Sequence, residues 1–454
     1  MPMKVIQPST GTVIRVVEEH TPAEVRARVA RAAEAYPRWR GTPVVERAAR
    51  LRAAAAGLRA GKKVFARTIT EEMGKPITQA ESEVEKCAWV CDFYAEHAVA
   101  YLTPDPVPSD ASRSWVRYDP LGPILAVMPW NFPFWQVFRF AAPALAAGNV
   151  ALLKHASNVP GCALAIERVM AEAGFPPGTF QALLVPAAAV DALIADPAIR
   201  GVTLTGSEAA GRKVAEAAGR AIKKSVLELG GSDPFLVFAD ADLDAAAETA
   251  VRSRVINTGQ TCISAKRFLV ERSCLPAFQE KFAAALARLK VGDPFDPATE
   301  VGPMARADLL DDLDRQVGES VRLGARLLAG GTRLDRPGWF YAPTLLADVR
   351  PGMPAFDEET FGPVAAISAA ADEEEAVALA NRSSFGLGAS VWTGDAARGD
   401  RLAERLEAGC VFVNGMVKSD PRLPFGGIKN SGYGRELGRH GMLEFVNVKT
   451  VWVR

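Results

Sequence analysis

Apolar positions along the chain fall into three rhythms. From residue 22 to about residue 101 they recur at three- and four-residue spacings, the period of amphipathic helices. Thr21, Pro22 and Glu24 form a capping-box pattern with proline in the first turn, which predicts where that stretch begins. After a proline-rich link, TPDPVPSD (103–110), short continuous apolar runs take over: GPILAVM (122–128), VALLK (150–154), QALLV (181–185), GVTLT (201–205) and SVLEL (225–229). Helical segments separate them, among them FWQVFRFAAPALAAG and GCALAIERVMAEAG. Unbroken apolar strands alternating with helices predict a parallel sheet covered on both faces.

The pattern restarts at PFLVF (234–238), with Asp242 as the expected N-cap of a helix leading toward Cys262. A second α/β unit continues through KRFLV and LPAFQEKFAAALARL to about residue 428. RSWVRYD (113–119) and FVNVKTVWVR (445–454) alternate like strands and belong to neither unit. The predicted fold class is α/β with two open parallel-sheet domains. Residues 1–111 and 122–229 form a domain of the dinucleotide-binding type, residues 230–428 form the second domain, and 112–121 and 440–454 supply extra strands.

Charge narrows the function. Among 454 residues, Lys plus Arg equal Asp plus Glu at 53 each, so no net field gathers nucleic acid or anionic lipid. The first 15 residues lack a signal-peptide pattern, and no apolar run approaches the roughly 18 residues of a membrane span. Six cysteines are scattered without a CxxC pair, which fits a reducing cytoplasm. Cys87 and Cys91, one helical turn apart, read as a core stripe. The four histidines show no ligand spacing, so no metal is expected.

Three stretches end apolar runs at Gly- or Pro-rich turns: MPWNFPFW (128–135), LTGSEAAG (204–211) and LELGGSDPF (227–235). In open α/β sheets ligands gather beyond the carboxyl ends of the strands, where these turns would meet. LTGSEAAG offers free N–H groups at a helix start, suited to a pyrophosphate or simply to a strand-to-helix turn. Glu228, among apolar neighbours, reads as a general base of raised pKa or as a salt-bridged strand end. Asn131 is an oxyanion donor or a helix cap. Arg139 is the one charge in an apolar helix and requires a carboxylate, from the protein or from a substrate. Cys262, in NTGQTC (257–262), is a buried hydrophobe or a nucleophile, and spacing alone does not choose.

Taken together, PWNFP, LTGS, LELGGSDPF, NTGQTC, EETFGPV (358–364) and PFGGIKNSGYGREL (424–437) resemble, in order and spacing, the aldehyde dehydrogenase superfamily over nearly the whole chain. LKHASNVPGCA and ELGGSDPF further resemble its bacterial succinate-semialdehyde dehydrogenases. The resemblance implies that Cys262 is the nucleophile, Glu228 the base and Asn131 an oxyanion donor. It implies a dinucleotide site of Trp130, Lys154, Ser157, Gly206, Ser207, Leu229, Glu359 and Phe361, with Lys154 and Glu359 at the two riboses. Many NAD-specific members carry a glutamate where this chain has Ser157. NAD or NADP is therefore the expected cofactor, with NADP accepted. Arg139 would bind a substrate's distal carboxylate. A second arginine common in that group is replaced by Ile256, leaving Lys418, Ser419 or Arg422 as substitutes. The implied substrate is succinate semialdehyde, with glutarate semialdehyde or broad aliphatic aldehydes as alternatives. A cysteine hydrolase without redox chemistry, or a fold that has lost activity, are alternatives of another class. The leftover strands correspond to an oligomerisation sheet, implying a homodimer or homotetramer.

Overall fold

The computed structural model describes residues 2–454. Thr21 caps the helix Pro22–Gly41: its hydroxyl accepts the Glu24 N–H at 3.3 Å, and the Glu24 carboxylate accepts the Thr21 N–H at 2.7 Å. Helices Val44–Ala60, Lys62–Met73 and Ile77–Leu102 follow. Their apolar faces, including Leu51, Leu58, Ile69, Cys87 and Cys91, are fully buried in the larger core, so the two cysteines sit in the stripe that their spacing predicts.

The first sheet runs in the order Gly432–Tyr433, Lys224–Glu228, Gly201–Thr205, Pro123–Met128, Val150–His155, Phe180–Ala182. All neighbours are parallel except the short Gly432–Tyr433 strand, which pairs antiparallel with Lys224–Glu228. That strand lies beyond residue 428, so the chain returns to the first sheet after leaving the second. QALLV yields only Phe180–Ala182; Pro186, without an N–H, stands just beyond the run. A hairpin, Met3–Gln7 with Thr12–Val17, precedes the helices and carries exposed Val13, Ile14 and Val16.

The second sheet has the order Arg326–Ala329, Thr344–Ala347, Val364–Ala370, Ala265–Glu271, Asp233–Val237, Gly388–Trp392, Cys410–Val413, parallel except at the Arg326–Ala329 edge. Asp242 caps the helix Leu243–Val255, its carboxylate accepting from the N–H groups of Asp244 and Ala245. Residues 229–232 carry the chain directly from the carboxyl end of Lys224–Glu228 to the amino end of Asp233–Val237. The carboxyl edge of one sheet therefore meets the amino edge of the other, and the chemistry-bearing turns lie along that seam.

Val446–Val453 pairs antiparallel with Arg113–Pro120, which also pairs with Asp105–Pro106. This three-stranded ribbon is tied to the first sheet by Asn149, whose Nδ2 donates to the Phe445 carbonyl at 3.0 Å while its Oδ1 accepts the N–H groups of Leu121 and Gly122 at 2.9 and 3.1 Å. Asn149 is wholly buried. Asn149→Ala removes three buried hydrogen bonds and leaves the Gly122 N–H without a partner, while the Leu121 N–H still donates to the Phe445 carbonyl at 3.2 Å, so it is expected to lower unfolding stability by about 1–3 kcal/mol in urea titration. A loss below about 1 kcal/mol would show that water replaces the amide there.

Candidate active site

The turn before Cys262 is strained by design. Helix Leu243–Val255 ends, and Asn257 (φ 55°), Thr258 (φ 57°) and Gly259 (φ 74°) all take the left-handed region. For non-glycine residues that conformation is costly and persists only where surroundings enforce it. Here the Asn257 N–H donates to Gln79 Oε1 at 2.7 Å, and Asn257 Nδ2 donates to the Asn131 carbonyl at 2.7 Å. Thr258 Oγ1 accepts the Gly302 N–H at 3.0 Å. Arg254, fully buried, donates to the carbonyls of Gly259 and Gly362, each at 2.6 Å. A Cβ on Gly259 would lie 2.3 Å from the Gly362 oxygen, so only glycine fits. Gln260 Oε1 accepts the Ala305 N–H at 2.9 Å, which completes the platform under Cys262.

Cys262 is half-buried and lines a cavity of about 700 Å³. Burial pushes its thiol up to about 12, opposed by the positive charges of Arg139 and Lys266. Lys266 is buried and donates to the carbonyls of Thr261 and Cys262 at 3.0 and 2.8 Å.

Asn131 is anchored from both ends of its amide: Nδ2 donates to the Gln260 carbonyl at 3.0 Å, and Oδ1 accepts from Gln136 Nε2 at 3.1 Å. This orientation leaves the second N–H of the amide for another acceptor. Its main-chain carbonyl accepts from Lys75 Nζ at 2.9 Å. Lys75 is itself ion-paired with Glu83, both fully buried, and Glu83 Oε1 accepts the N–H groups of Phe134 and Trp135 at 2.9 and 3.0 Å. No sequence signal marks Lys75, in the link before the helix Ile77–Leu102, or Glu83, on that helix, because residues more than 50 positions upstream reach Asn131 and Phe134 only through packing.

Glu228 ends its strand almost wholly buried, and neither carboxylate oxygen has a hydrogen bond. Desolvation drives its pKa well above the ordinary carboxylate range, with Arg139 pulling the other way and Glu436 adding to the rise. The glycines that follow it are required by close approach. A Cβ on Gly230 would lie 2.4 Å from Glu359 Oε2, and one on Gly231 would lie 2.6 Å from the Cys262 carbonyl oxygen. Gly231, three residues after Glu228, thus brings the chain against the main chain of Cys262.

Arg139 finds its partner within the protein. It forms a buried ion pair with Glu436, donates to Thr205 Oγ1 at 3.3 Å and lies 4.8 Å from the Phe425 ring centre, while still facing the cavity. Glu436 stands inside the GYGREL stretch, and the lone arginine of an apolar helix was the only hint that a carboxylate had to meet it.

Most of the expected dinucleotide residues follow the carboxyl ends of strands of the first sheet, and Glu359 and Phe361 reach them from the loop before Val364–Ala370 of the second. Trp130 follows Pro123–Met128 and meets Phe361 edge-on at 5.8 Å. Lys154, near the end of Val150–His155, is buried with no ion-pair or hydrogen-bond partner among the described residues, and burial lowers its pKa. Ser157 is exposed just beyond it. Gly206 follows Gly201–Thr205, its N–H donating to the Glu228 carbonyl at 3.0 Å, and Ser207 caps the helix Glu208–Arg220. Leu229 packs against Gly211, where a Cβ would collide with its side chain at 2.5 Å. Glu359 accepts the Gly231 N–H at 3.0 Å and pairs with Lys266 at 3.3 Å. A buried cation without a counterion, a helix N-terminus and an aromatic pair suit an anionic, planar cofactor.

Of the substrate candidates, Ser419 lines the cavity and its Oγ accepts from Lys86 Nζ at 2.8 Å. Lys418 reaches the cavity with an exposed side chain. Arg422 is not among the residues that line the cavity: its side chain is exposed and bound bidentately by Asp420, two residues away, with contacts at 2.8 and 2.7 Å. Ile256 lines the cavity as an apolar wall.

The aldehyde dehydrogenase family profile matches residues 1–451. The chain belongs to the aldehyde dehydrogenase family. A Synechocystis sp. protein described as "Probable succinate-semialdehyde dehydrogenase [NADP(+)]" is 53% identical over 453 residues, covering 100% of both chains. Succinate-semialdehyde dehydrogenase [NADP(+)] 1 of Mycobacterium bovis is 51% identical over 456 residues, again 100% of each. The solved succinic semialdehyde dehydrogenase of Streptococcus pyogenes, in complex with NADP+, superimposes with a TM-score of 0.97 at 38% identity over 99% of each chain. This chain thus has the α/β architecture of that family, with two largely parallel sheets. Among the described residues no helix is long and apolar enough to cross a membrane.

An elevated thiol pKa has a direct readout. In the cofactor-free protein the rate of Cys262 alkylation by iodoacetamide is expected to climb about tenfold per pH unit from about pH 7 to 9, since only the thiolate reacts. A rate that levels off near pH 7 would mean the sulfur is already ionised.

Proposed function

We propose that this aldehyde dehydrogenase oxidises succinate semialdehyde to succinate with NADP+ as the preferred cofactor. The observation that carries the reading is a cavity lined by the Cys262 thiol and by the cationic side chains of Arg139 and Lys86, with the anchored Asn131 amide bonded to the Gln260 carbonyl two residues before the thiol and the desolvated Glu228 carboxyl sharing the field of Arg139. The identities of 53% and 51% to proteins described as acting on this aldehyde with NADP+ support it. Ser157 supports the cofactor choice, since no carboxylate stands there to repel a 2′-phosphate.

In this reading Cys262 attacks the aldehyde carbon and the Asn131 amide and Cys262 N–H hold the oxyanion of the thiohemiacetal. The bound nicotinamide supplies the hydride acceptor that the oxidation needs. Glu228 takes the thiol proton and later activates water to hydrolyse the thioester; desolvation raises its affinity for a proton, which suits a carboxylate that must accept one. Lys154 and Glu359 hold the riboses, with Trp130, Phe361, Gly206, Ser207 and Leu229 lining the dinucleotide groove. Arg139 places a positive charge near both Cys262 and Glu228 that favours the thiolate and the anionic carboxylate, while its partner Glu436 works against it at Glu228. Succinate semialdehyde with NADP+ is expected to give a kcat/KM at least about tenfold above butyraldehyde, and NADP+ to exceed NAD+. Steady-state rates for the four pairings decide it. Equal rates for the two aldehydes would favour a broad aliphatic enzyme, and an NADP+ efficiency a thousandfold below NAD+ would reverse the cofactor assignment.

We also assign the three-stranded ribbon to a homodimer or homotetramer interface. Its strand Val446–Val453 leaves Val448 and Trp452 60% and 49% exposed, apolar area that a second copy would cover. Six free cysteines support a reducing, cytoplasmic setting. Deleting residues 446–454 is expected to shift the protein to monomers in sedimentation velocity; an unchanged oligomer would place the interface elsewhere.

A further inference from the structure

Lys86, on the helix Ile77–Leu102, lines the same cavity as Cys262. Its ammonium donates to Ser419 Oγ at 2.8 Å and lies 4.2 Å from the Trp135 ring centre. It differs from the other cations there. Arg139 is committed to Glu436, Lys75 to Glu83 and Arg288 to Glu248. Arg252 and Lys418 are exposed to solvent. Lys86 is partly buried, and among the described residues no carboxylate lies within ion-pair distance of it. A desolvated ammonium whose near neighbours are one hydroxyl and one ring face is short of a counterion.

Ser419 completes the arrangement. Its oxygen accepts the Lys86 proton, so its own hydroxyl hydrogen is free for an acceptor. Two donors therefore converge on one point of the cavity wall, the geometry that a carboxylate meets with its two oxygens. Ile256 on the same cavity wall is apolar, and Arg139 is already neutralised within the protein.

We propose that Lys86, with the Ser419 hydroxyl, receives the distal carboxylate of the substrate and is the residue that distinguishes carboxylate-bearing aldehydes from uncharged ones. The assignment rests on the reading of the substrate as an anionic aldehyde. It adds a pH signature. Burial holds the empty Lys86 ammonium down at about 8; Arg139 from the facing helix repels it, and Cys87, Asp420 and Glu83 draw it back up. Below that pH Lys86 is charged and above it neutral, so the preference for the anionic aldehyde is fullest below about 8 and declines above.

The test is kcat/KM for succinate semialdehyde and for butyraldehyde, with NADP+, from about pH 6.5 to 9.5, in the wild type, Lys86→Met and Lys86→Arg. The wild-type preference for succinate semialdehyde is expected to shrink at least about tenfold in Lys86→Met. Lys86→Arg is expected to keep most of it and to lose the decline near pH 8, since a guanidinium stays charged. A Lys86→Met enzyme with the wild-type preference at every pH overturns the assignment while leaving the proposed function standing. A wild type with no preference at neutral pH overturns both. If Lys86→Met does not fold, the arginine variant decides: a decline near pH 8 that persists there overturns the role of Lys86.

Discussion

Everything chemical in this protein depends on a left-handed turn, residues 257–259, being held where an unconstrained chain would avoid it. No single neighbour enforces the turn. Gln79 comes from the helical N-terminal region, Asn131 from the first sheet, Gly302 from the loop after the second domain's first helices, and Arg254 clamps carbonyls on both sides. The position of Cys262 is therefore set by the packing of several distant segments rather than by its own loop. Loosening either sheet would move the sulfur.

Charge is handled in the same distributed way. Buried cations meet buried carboxylates in Lys75–Glu83 and Arg139–Glu436, pairs in which removal of one partner would strand the other in low dielectric. Each pair also touches the chemistry. The first fixes the carbonyl of Asn131 and starts the helix Trp135–Ala147; the second sets the field at Glu228 and Cys262. Glu228, by contrast, is left without hydrogen bonds, so only the charges of Arg139 and Arg435 oppose the desolvation that raises its pKa.

Much of this was legible in the chain. Apolar runs marked the parallel strands because both sheet faces are covered, and Thr21 and Asp242 marked helix starts because capping is local chemistry. Cys262, Glu228 and Asn131 each kept an ordinary structural reading alone, and only the resemblance of several ordered motifs to a known family joined them as a candidate set. What stayed hidden depends on three-dimensional meeting. Gly432–Tyr433 is too short to carry a period, and the Met3–Gln7 hairpin shows only a brief alternation. Glu436, Lys75 and Lys86 lie far from their partners in sequence. Arg422 looked like a free cation because its capture by Asp420 is a matter of side-chain direction.

Gly230 and Gly231 have a consequence for how such a protein diversifies. They form a hinge-free seam where one backbone passes between the carboxylate of Glu359 and the main chain of Cys262, with no volume to spare on either side. A change there would disturb the nucleotide groove and the sulfur together, so neither could be retuned alone. New preferences for aldehydes have to be written on the outer cavity wall, at positions such as Ile256 and Met416, where side chains change shape without touching that seam.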